Sequence, residues 1–79
     1  MRVSVDISFY PINEEYIAPI KAFIKQLNSD PELEVETNKM STQIRGEIDR
    51  IFRMLSDEMA KVFEEQRAAF VIKVIKGKD

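Results

Sequence analysis

Hydrophobic residues follow two different periods along this chain. In the opening stretch every second residue is apolar, namely Val3, Val5, Ile7 and Phe9. A period of two is typical of a β-strand with one face in the core and the other face polar. Pro11 has no backbone N–H to give to a neighbouring strand, so we predict that this strand ends there.

The next segment changes to the period of a helix. Apolar residues recur at spacings of three and four, at Ile17, Ile20, Phe23, Ile24 and Leu27. This is the apolar stripe of an amphipathic helix, which we predict over approximately residues 17–27. A proline inside a helix costs about 3 kcal/mol, so we expect regular helix to begin at or just before Pro19. Residues 13–15 predict a turn before this helix, and residues 28–31 predict a stop after it.

The middle of the chain returns to the period of two and predicts a hairpin. Its inward positions are Leu33, Val35 and Thr37 in one strand and Met40, Thr42 and Ile44 in the next. Gly46 is expected to end the second of these strands.

A second helix and a last strand follow the hairpin. The helix is predicted over residues 48–65, and its apolar stripe consists of Ile48, Ile51, Phe52, Leu55, Met59, Val62 and Phe63. We expect Phe52 and Phe63 to be the most damaging positions to truncate, because deleting a buried Phe side chain costs about 3–5 kcal/mol. The strand is predicted over residues 69–75, with Phe70, Ile72 and Val74 on one face and Val71, Lys73 and Ile75 on the other.

The order of these elements defines a fold class. Strand, helix, two strands, helix and strand form the α+β, ferredoxin-like βαββαβ arrangement. Right-handed crossovers place both helices on one face of a four-stranded antiparallel sheet of order 4-1-3-2, in a single domain of residues 1–79. The first and third strands are then neighbours, and their outward residues meet on the open face of the sheet: Ser4 and Asp6 beside Arg45 and Gln43, and Ser8 and Tyr10 toward Ser41.

Composition excludes several classes of function. The chain has 79 residues, of which 12 are basic and 14 acidic, and a formal net charge of −2. No basic cluster could neutralise a run of phosphates, and no apolar run approaches the roughly 18 residues that span a bilayer, so we expect no nucleic acid and no membrane as partner. Cysteine and histidine are both absent, which removes thiol nucleophiles, zinc sites and the usual general base. The charged, alternating N-terminus is not a signal sequence, so we expect a soluble cytoplasmic protein.

Other functions known for this fold find little support in the residues. RNA-binding domains of this fold stack bases on aromatic residues of the central strands, and here only Tyr10 occupies such a position. Metal carriers would need a cysteine pair. No serine has an evident base partner and the carboxylates do not converge, so we predict no enzyme, no catalytic residues, no metal site and no cofactor.

Residues 35–46 form the most informative part of the chain. They include Asn38, Ser41, Thr42 and Gln43, whose side chains donate and accept hydrogen bonds without titrating near neutral pH. Such groups can hold a neutral polar ligand. A hairpin alone would also explain them, because Asn and Ser are common in turns and Thr is common in strands. From the residues alone, both interpretations stay open.

A resemblance to a known family favours the interpretation of residues 35–46 as part of a ligand site. The segments that carry it are Val35-Glu36-Thr37-Asn38, Met40-Ser41-Thr42-Gln43-Ile44, Gly46, Phe63-Glu64, Val74-Ile75-Lys76-Gly77 and the opening Ser8-Phe9-Tyr10-Pro11-Ile12. Together they resemble the thiamine and hydroxymethylpyrimidine-binding YkoF-like family over nearly the whole chain. The resemblance implies a ferredoxin-like module that binds thiamine or its pyrimidine portion and performs no chemistry. Well-known members join two such modules in one chain, whereas this chain has one.

An aminopyrimidine presents ring-nitrogen acceptors and an amino donor in one plane. A carboxylate such as Asp6 and an amide such as Gln43 or Asn38 could read that edge, and Asp6 or Glu36 could offset the charge of a thiazolium ring. The ligand-binding residues that we predict are Asp6, Ser8, Asn38, Ser41, Thr42 and Gln43. The structural alternatives are that Asp6 pairs with Arg45, that Asn38 only forms a turn, and that the hydroxyl of Thr42 bonds to backbone inside the sheet.

The last expectation concerns assembly. Tyr10, Val71 and Ile75 lie on the sheet face opposite the helices, and apolar residues on an open face of so small a chain normally meet a partner. We therefore expect a homo-oligomer, a dimer or a tetramer, that forms through the sheet. The alternative to a thiamine-type binder is a structural or regulatory oligomeric interaction module with no small-molecule ligand.

Overall fold

The structure is a computed structural model that describes residues 1–12 and 17–77. Its elements in chain order are β1 (Arg2–Pro11), α1 (Ile17–Leu27), β2 (Glu34–Thr37), β3 (Thr42–Glu47), α2 (Ile48–Glu65) and β4 (Ala68–Lys76). The predicted βαββαβ order is confirmed, and both helices begin and end at the predicted residues. The turn predicted at residues 13–15 lies outside the described residues. Neither helix that the structure describes is long and apolar enough to cross a membrane.

The sheet has the predicted topology. Its four strands lie in the order β2-β3-β1-β4, and each neighbouring pair is antiparallel. In the central pair Ser4 lies opposite Arg45 and Asp6 lies opposite Gln43, which confirms the register predicted from the alternation of the two strands. The fold is therefore the ferredoxin-like one.

The core lies between the inward face of the sheet and the two helices. Val5, Ile7 and Ile44 from the central strands are at most 2% exposed, and they pack against Leu27 of α1 and against Ile51 and Leu55 of α2. Three aromatic rings close one end of this core: the ring centroid of Phe9 is 5.3 Å from that of Phe23 and 4.6 Å from that of Phe70. Each ring comes from a different element, so this end of the fold ties β1, α1 and β4 together.

One predicted core residue is placed differently. Phe63 lies in the last turns of α2 and remains 53% exposed, so it is not the buried side chain that the sequence prediction assumed. Its ring meets that of Phe70 in a T-shaped arrangement at a centroid distance of 5.6 Å. Helical spacing shows which face a residue lies on, but it does not show where the core beneath that face ends. Phe52 packs against the core as a partly buried residue.

The hairpin also differs in detail from the prediction. Met40 was expected inward in the second hairpin strand, but β3 begins only at Thr42 and Met40 is 85% exposed in the connecting loop. At the other end the strand runs one residue beyond Gly46, to Glu47, which pairs with Arg2. A Cβ atom on Gly46 would lie 2.7 Å from Cδ2 of the buried Leu33. Glycine at this position therefore lets Leu33 close over the strand.

Candidate functional site

The strands of the sheet end at different levels, and this difference creates a recess. The ladder between β1 and β3 stops at the pair Ile7–Thr42, whereas the ladder between β1 and β4 continues to Pro11–Ala68. Beyond Thr42 the hairpin loop, residues 38–41, turns away toward β2. One edge of β1 is therefore left without a neighbouring strand over its last residues.

A cleft of about 270 Å³ occupies this end of the sheet. We call it the end cleft. Its apolar wall comes from α1 and from the end of β1, and includes Ile20, Phe23, Ile24 and Phe9. Its polar wall comes from β1 and the hairpin, and includes Ser8, Thr37, Asn38, Ser41 and Thr42. One hydrophobic wall opposite a few fixed polar groups is the usual composition of a small-molecule site.

Asn38 shapes the hairpin loop through its side chain. Its Oδ1 atom accepts hydrogen bonds from the backbone N–H groups of Met40, at 2.8 Å, and Ser41, at 3.1 Å. Its own N–H donates to the carbonyl oxygen of Ser41 at 3.0 Å. Asparagine can close a turn in this way because its amide oxygen substitutes for a backbone acceptor. The amide NH₂ of Asn38 donates to no residue in the part of the chain that the structure describes, so it can serve a ligand in the end cleft.

Thr42 is the first residue of β3 and points inward. It is 6% exposed, and its Oγ1 lies 3.1 Å from Oγ1 of Thr37 across the hairpin. The expectation that this hydroxyl bonds to backbone is wrong, since its partner is a side chain. A pair of hydroxyls uses only one of its two protons internally. The other proton remains to be donated at the wall of the end cleft.

Ser41 lies between the end cleft and the open face of the sheet. Its hydroxyl donates to Oδ1 of Asp6, and Nε2 of Gln43 donates to the Ser41 oxygen at 2.7 Å and to Oδ1 of Asp6 at 3.2 Å. The Ser41 hydroxyl bond, then the Gln43 amide, then the charge of Lys73, with Nζ at 3.8 Å from Asp6, lower the pKa of Asp6, while partial burial opposes them. Asp6 is thus a carboxylate that holds Ser41 in one orientation.

The six predicted site residues fall into two overlapping groups. Ser8, Asn38, Ser41 and Thr42 line the end cleft, and Asp6 and Gln43 lie on the open sheet face behind it. Ser41 belongs to both groups because it contacts Asp6 and Gln43 directly. Asp6 does not pair with Arg45, whose charged partner is Glu34 at 3.9 Å. Residues 1–12 and 17–77 contain no cluster of acidic side chains that could hold a metal ion.

Sequence analysis missed several residues of the end cleft. Ile20, Phe23 and Ile24 were read only as a core stripe, and Met40 as an inward strand residue. No signal in the alternation marks the recess: β1 has 10 residues and β3 has 6, but the alternating pattern of the second hairpin strand starts already at Met40. Unequal neighbours leave an unpaired edge, which is where the recess forms.

Comparison with known proteins identifies the family. The chain matches the thiamine-binding protein family over residues 5–79. This match covers most of the sequence, and the chain belongs to that family. A search of curated proteins found no match.

Solved structures share the fold over nearly the whole chain. A hypothetical protein from Methanocaldococcus jannascii is 25% identical with a TM-score of 0.84, and the match covers 99% of this chain and 82% of that one. A proposed thiamine biosynthesis/salvage protein from Thermotoga maritima is 18% identical with a TM-score of 0.86, covering 98% and 85%. A protein from Streptococcus pneumoniae is 22% identical with a TM-score of 0.87, covering 99% and 89%. At these identities, the last two similarities establish the fold alone.

Proposed function

We propose that this protein binds thiamine or its hydroxymethylpyrimidine portion reversibly in the end cleft and performs no chemistry on it. The observation that carries the proposal is the convergence of Ser8, Asn38, Ser41 and Thr42 on one cleft. These residues lie in the segments that resemble thiamine-binding proteins, and the chain belongs to the thiamine-binding protein family. A role in transport or salvage of the vitamin, in the cytoplasm, is part of the proposal and rests on the sequence and the family.

The apolar wall of the end cleft suits the flat face of a pyrimidine ring, and its polar wall suits the rim of the ring. The flat face of the ring is apolar and would lie against Ile20, Ile24 and the aromatic cluster around Phe23. The polar rim of the ring would meet the Asn38 amide and the threonine pair. Asp6 and Gln43 would act behind Ser41 by fixing its hydroxyl rather than at the ring itself.

The size of the end cleft favours the smaller half of thiamine. Its 270 Å³ lies just below the range of roughly 300–1,000 Å³ typical of small-molecule sites. The pyrimidine half would therefore occupy it, and the thiazolium half of thiamine would extend past the hairpin loop. Asp6 offers a charge of opposite sign on the adjoining face, although Lys73 offsets part of it.

The test is titration calorimetry of the folded protein with thiamine and with hydroxymethylpyrimidine. Ile24→Trp should reduce the affinity at least tenfold, because Ile24 lines the end cleft from α1 and the larger side chain would occupy the cleft. Lys21→Trp is the matched control, since Lys21 is exposed on the same helix and does not line the cleft, and this variant should bind as the wild type does. If neither compound binds at millimolar concentration to folded protein, the structural or regulatory interaction module becomes the better explanation.

We further propose that the protein is a homo-oligomer, a dimer or a tetramer, that forms through the open face of the sheet. Tyr10, Val71 and Ile75 are 55%, 53% and 69% exposed on that face. A second copy is the occupant that the charges favour. Strand pairing places Glu36, Gln43, Asp6 and Lys73 in one row across the sheet, with the acidic residue at one edge and the lysine at the other.

This row is complementary to itself. A twofold axis that runs along the strands between two stacked sheets places β2 over β4 of the second copy and β3 over its β1. Glu36 then lies over Lys73 of the second copy, and Gln43 over its Asp6. An axis across the strands at this row would instead stack Glu36, Asp6 and Lys73 each on its own like charge, which is unfavourable.

A further inference from the structure

The direction of the backbone groups along β1 follows from three hydrogen bonds. Gly77 donates to the carbonyl of Arg2, and Ile12 donates to that of Arg67, each at 2.9 Å, so the even residues of β1 direct their N–H and C=O groups toward β4. Ile48 donates to the carbonyl of Met1 at 3.0 Å, so the odd residues face β3. This alternation is the rule for an antiparallel strand with a neighbour on each side.

Phe9 is the odd residue that follows the last pair of the β1–β3 ladder. Ile7 is the last odd residue of β1 that pairs with β3, through Thr42, and the chain opposite Phe9 turns away at Met40. The N–H and C=O of Phe9 therefore point into the recess, and no residue of the described chain bonds to them there. Phe9 also lines the end cleft.

A single residue of an open strand edge presents one donor and one acceptor side by side in the plane of the sheet. A 4-aminopyrimidine presents the complementary pair on its own edge, with an amino donor beside a ring-nitrogen acceptor. We propose that the backbone of Phe9 reads this edge. The Phe9 N–H donates to a ring nitrogen, and the Phe9 C=O accepts from the exocyclic amino group. This inference rests on the proposed function and names the part of the ligand that the site recognises.

The assignment fixes the orientation of the ligand. A thiazolium ring has no N–H to offer to the Phe9 carbonyl, so it cannot replace the pyrimidine at this edge. The pyrimidine lies innermost, between α1 and the hairpin loop, and any further ring extends outward past Met40. The pyrimidine ring forms hydrogen bonds with the edge of β1 just beyond the end of β3, as an added strand does at an open sheet edge.

This contact with the pyrimidine could not be predicted from the pattern of side chains, because backbone groups make it. The donor and acceptor belong to a phenylalanine whose ring packs against Phe23 and Phe70 in the core. Nothing in the residue type indicates a polar contact. The N–H and C=O of Phe9 are left open because the pairing of β3 with β1 ends at Ile7 and Thr42.

The test compares 4-amino-5-hydroxymethyl-2-methylpyrimidine with its 4-oxo analogue by calorimetry. The 4-oxo compound carries an acceptor where the amino donor was and a ring N–H where the acceptor was, so both contacts with Phe9 become mismatched. We expect it to bind at least tenfold more weakly, since each lost hydrogen bond accounts for a factor of several. The amino compound should shift the Phe9 amide proton resonance and slow its exchange with solvent, whereas the amide of Ile7, which already pairs with Thr42, is the internal control and should change little.

The outcomes separate this inference from the proposed function. Equal binding of the two pyrimidines, or binding of thiamine with an unchanged Phe9 amide, would overturn the role of Phe9 and leave thiamine binding in place. Failure of thiamine and of both pyrimidines to bind would overturn both. Selective binding of the amino compound with protection of Phe9 supports both.

Discussion

Ile7 and Thr42 are the last residues that pair between β1 and β3, while β1 goes on to pair with β4 as far as Pro11. The recess beyond this pair is bounded by a loop that Asn38 holds closed through two backbone N–H groups. The site is thus a product of strand lengths and of one turn. Its polar side chains line a recess whose shape is determined by the backbone.

Asn38 should affect ligand binding through the loop as well as by contact. Asn38→Ala removes the acceptor for the N–H groups of Met40 and Ser41, so the wall of the end cleft should loosen. We expect affinity for hydroxymethylpyrimidine to fall roughly tenfold and the free energy of unfolding to fall by about 1 kcal/mol. Calorimetry and urea denaturation measure the two effects.

Asn38→Asp is the matched control for this variant. Aspartate keeps the acceptor oxygen that closes the loop but loses the NH₂ donor, so stability should recover while binding recovers only in part. Full affinity in Asn38→Ala would show that the hairpin loop is not part of the site.

Asp30 should make the free energy of unfolding decrease at acid pH. The Arg50 guanidinium, at 2.7 Å and 2.9 Å from its two carboxylate oxygens, and then the backbone N–H of Glu32, lower the pKa of Asp30. A lowered folded-state pKa means that the unfolded chain, with a pKa of about 3.9, takes up the proton more readily. The stabilisation is therefore fully present above about pH 5 and is lost as the pH falls through the folded-state pKa.

Asp30→Asn should be less stable than the wild type at pH 7, and the difference should shrink as the pH falls below about 4. Asp57→Asn is the control of equal charge, since Asp57 is exposed on α2 and is not part of the Asp30–Arg50 pair. Urea midpoints at several pH values measure both variants. A gap between Asp30→Asn and wild type that stays constant down to pH 2 would contradict the role of the Arg50 pair.

The sequence predicted the parts of the fold that depend on periodicity. Alternation and helical spacing placed both helices, and topology placed Asp6 opposite Gln43, because these follow from local pattern and one rule of handedness. The end cleft could not be predicted in this way, since it depends on β3 starting at Thr42 rather than at Met40. The asparagine turn fixes that start, and an alternating pattern continues through it unchanged.

When side chains of α2 are changed to Ala, the loss in the free energy of unfolding should follow the burial of the side chain rather than its size. Leu55 is fully buried and should cost about 2–5 kcal/mol when changed to Ala. Phe63→Ala removes a larger side chain that is already 53% exposed, and should cost clearly less. Urea denaturation of the two variants decides the order. A larger loss in Phe63→Ala would mean that this ring is covered in the protein as it exists in solution, for example by another copy.

The proposed assembly makes a prediction that depends on the pairing of two charges. Lys73→Glu and Glu36→Lys should each weaken self-association, because each places like charges opposite one another in the stacked sheets. The double variant restores opposite charges and should associate as the wild type does. Lys25→Glu, on the exposed side of α1, changes the net charge equally and should leave association unchanged. Light scattering or sedimentation over a range of concentrations measures the size of each species.

A mixture of the two single variants provides the sharpest form of this test. In the Lys73→Glu sheet both ends of the row are then glutamates, and in the Glu36→Lys sheet both ends are lysines, so both end contacts between unlike copies join a glutamate to a lysine. The mixed species should form where neither variant associates alone. Two stacked sheets rotate by about 30° relative to each other, which moves the ends of this row by roughly 4 Å and leaves them within reach of a lysine side chain.

Val71→Glu combined with Ile75→Glu should separate the copies under either axis, because both residues are exposed on the same face and both substitutions bury charge in the stack. If the assembly supplies an outer wall of the end cleft, affinity for thiamine should fall in parallel, while affinity for the smaller hydroxymethylpyrimidine should change less. Wild-type protein that is monomeric at micromolar concentration and binds thiamine fully would show that the open face is not an interface.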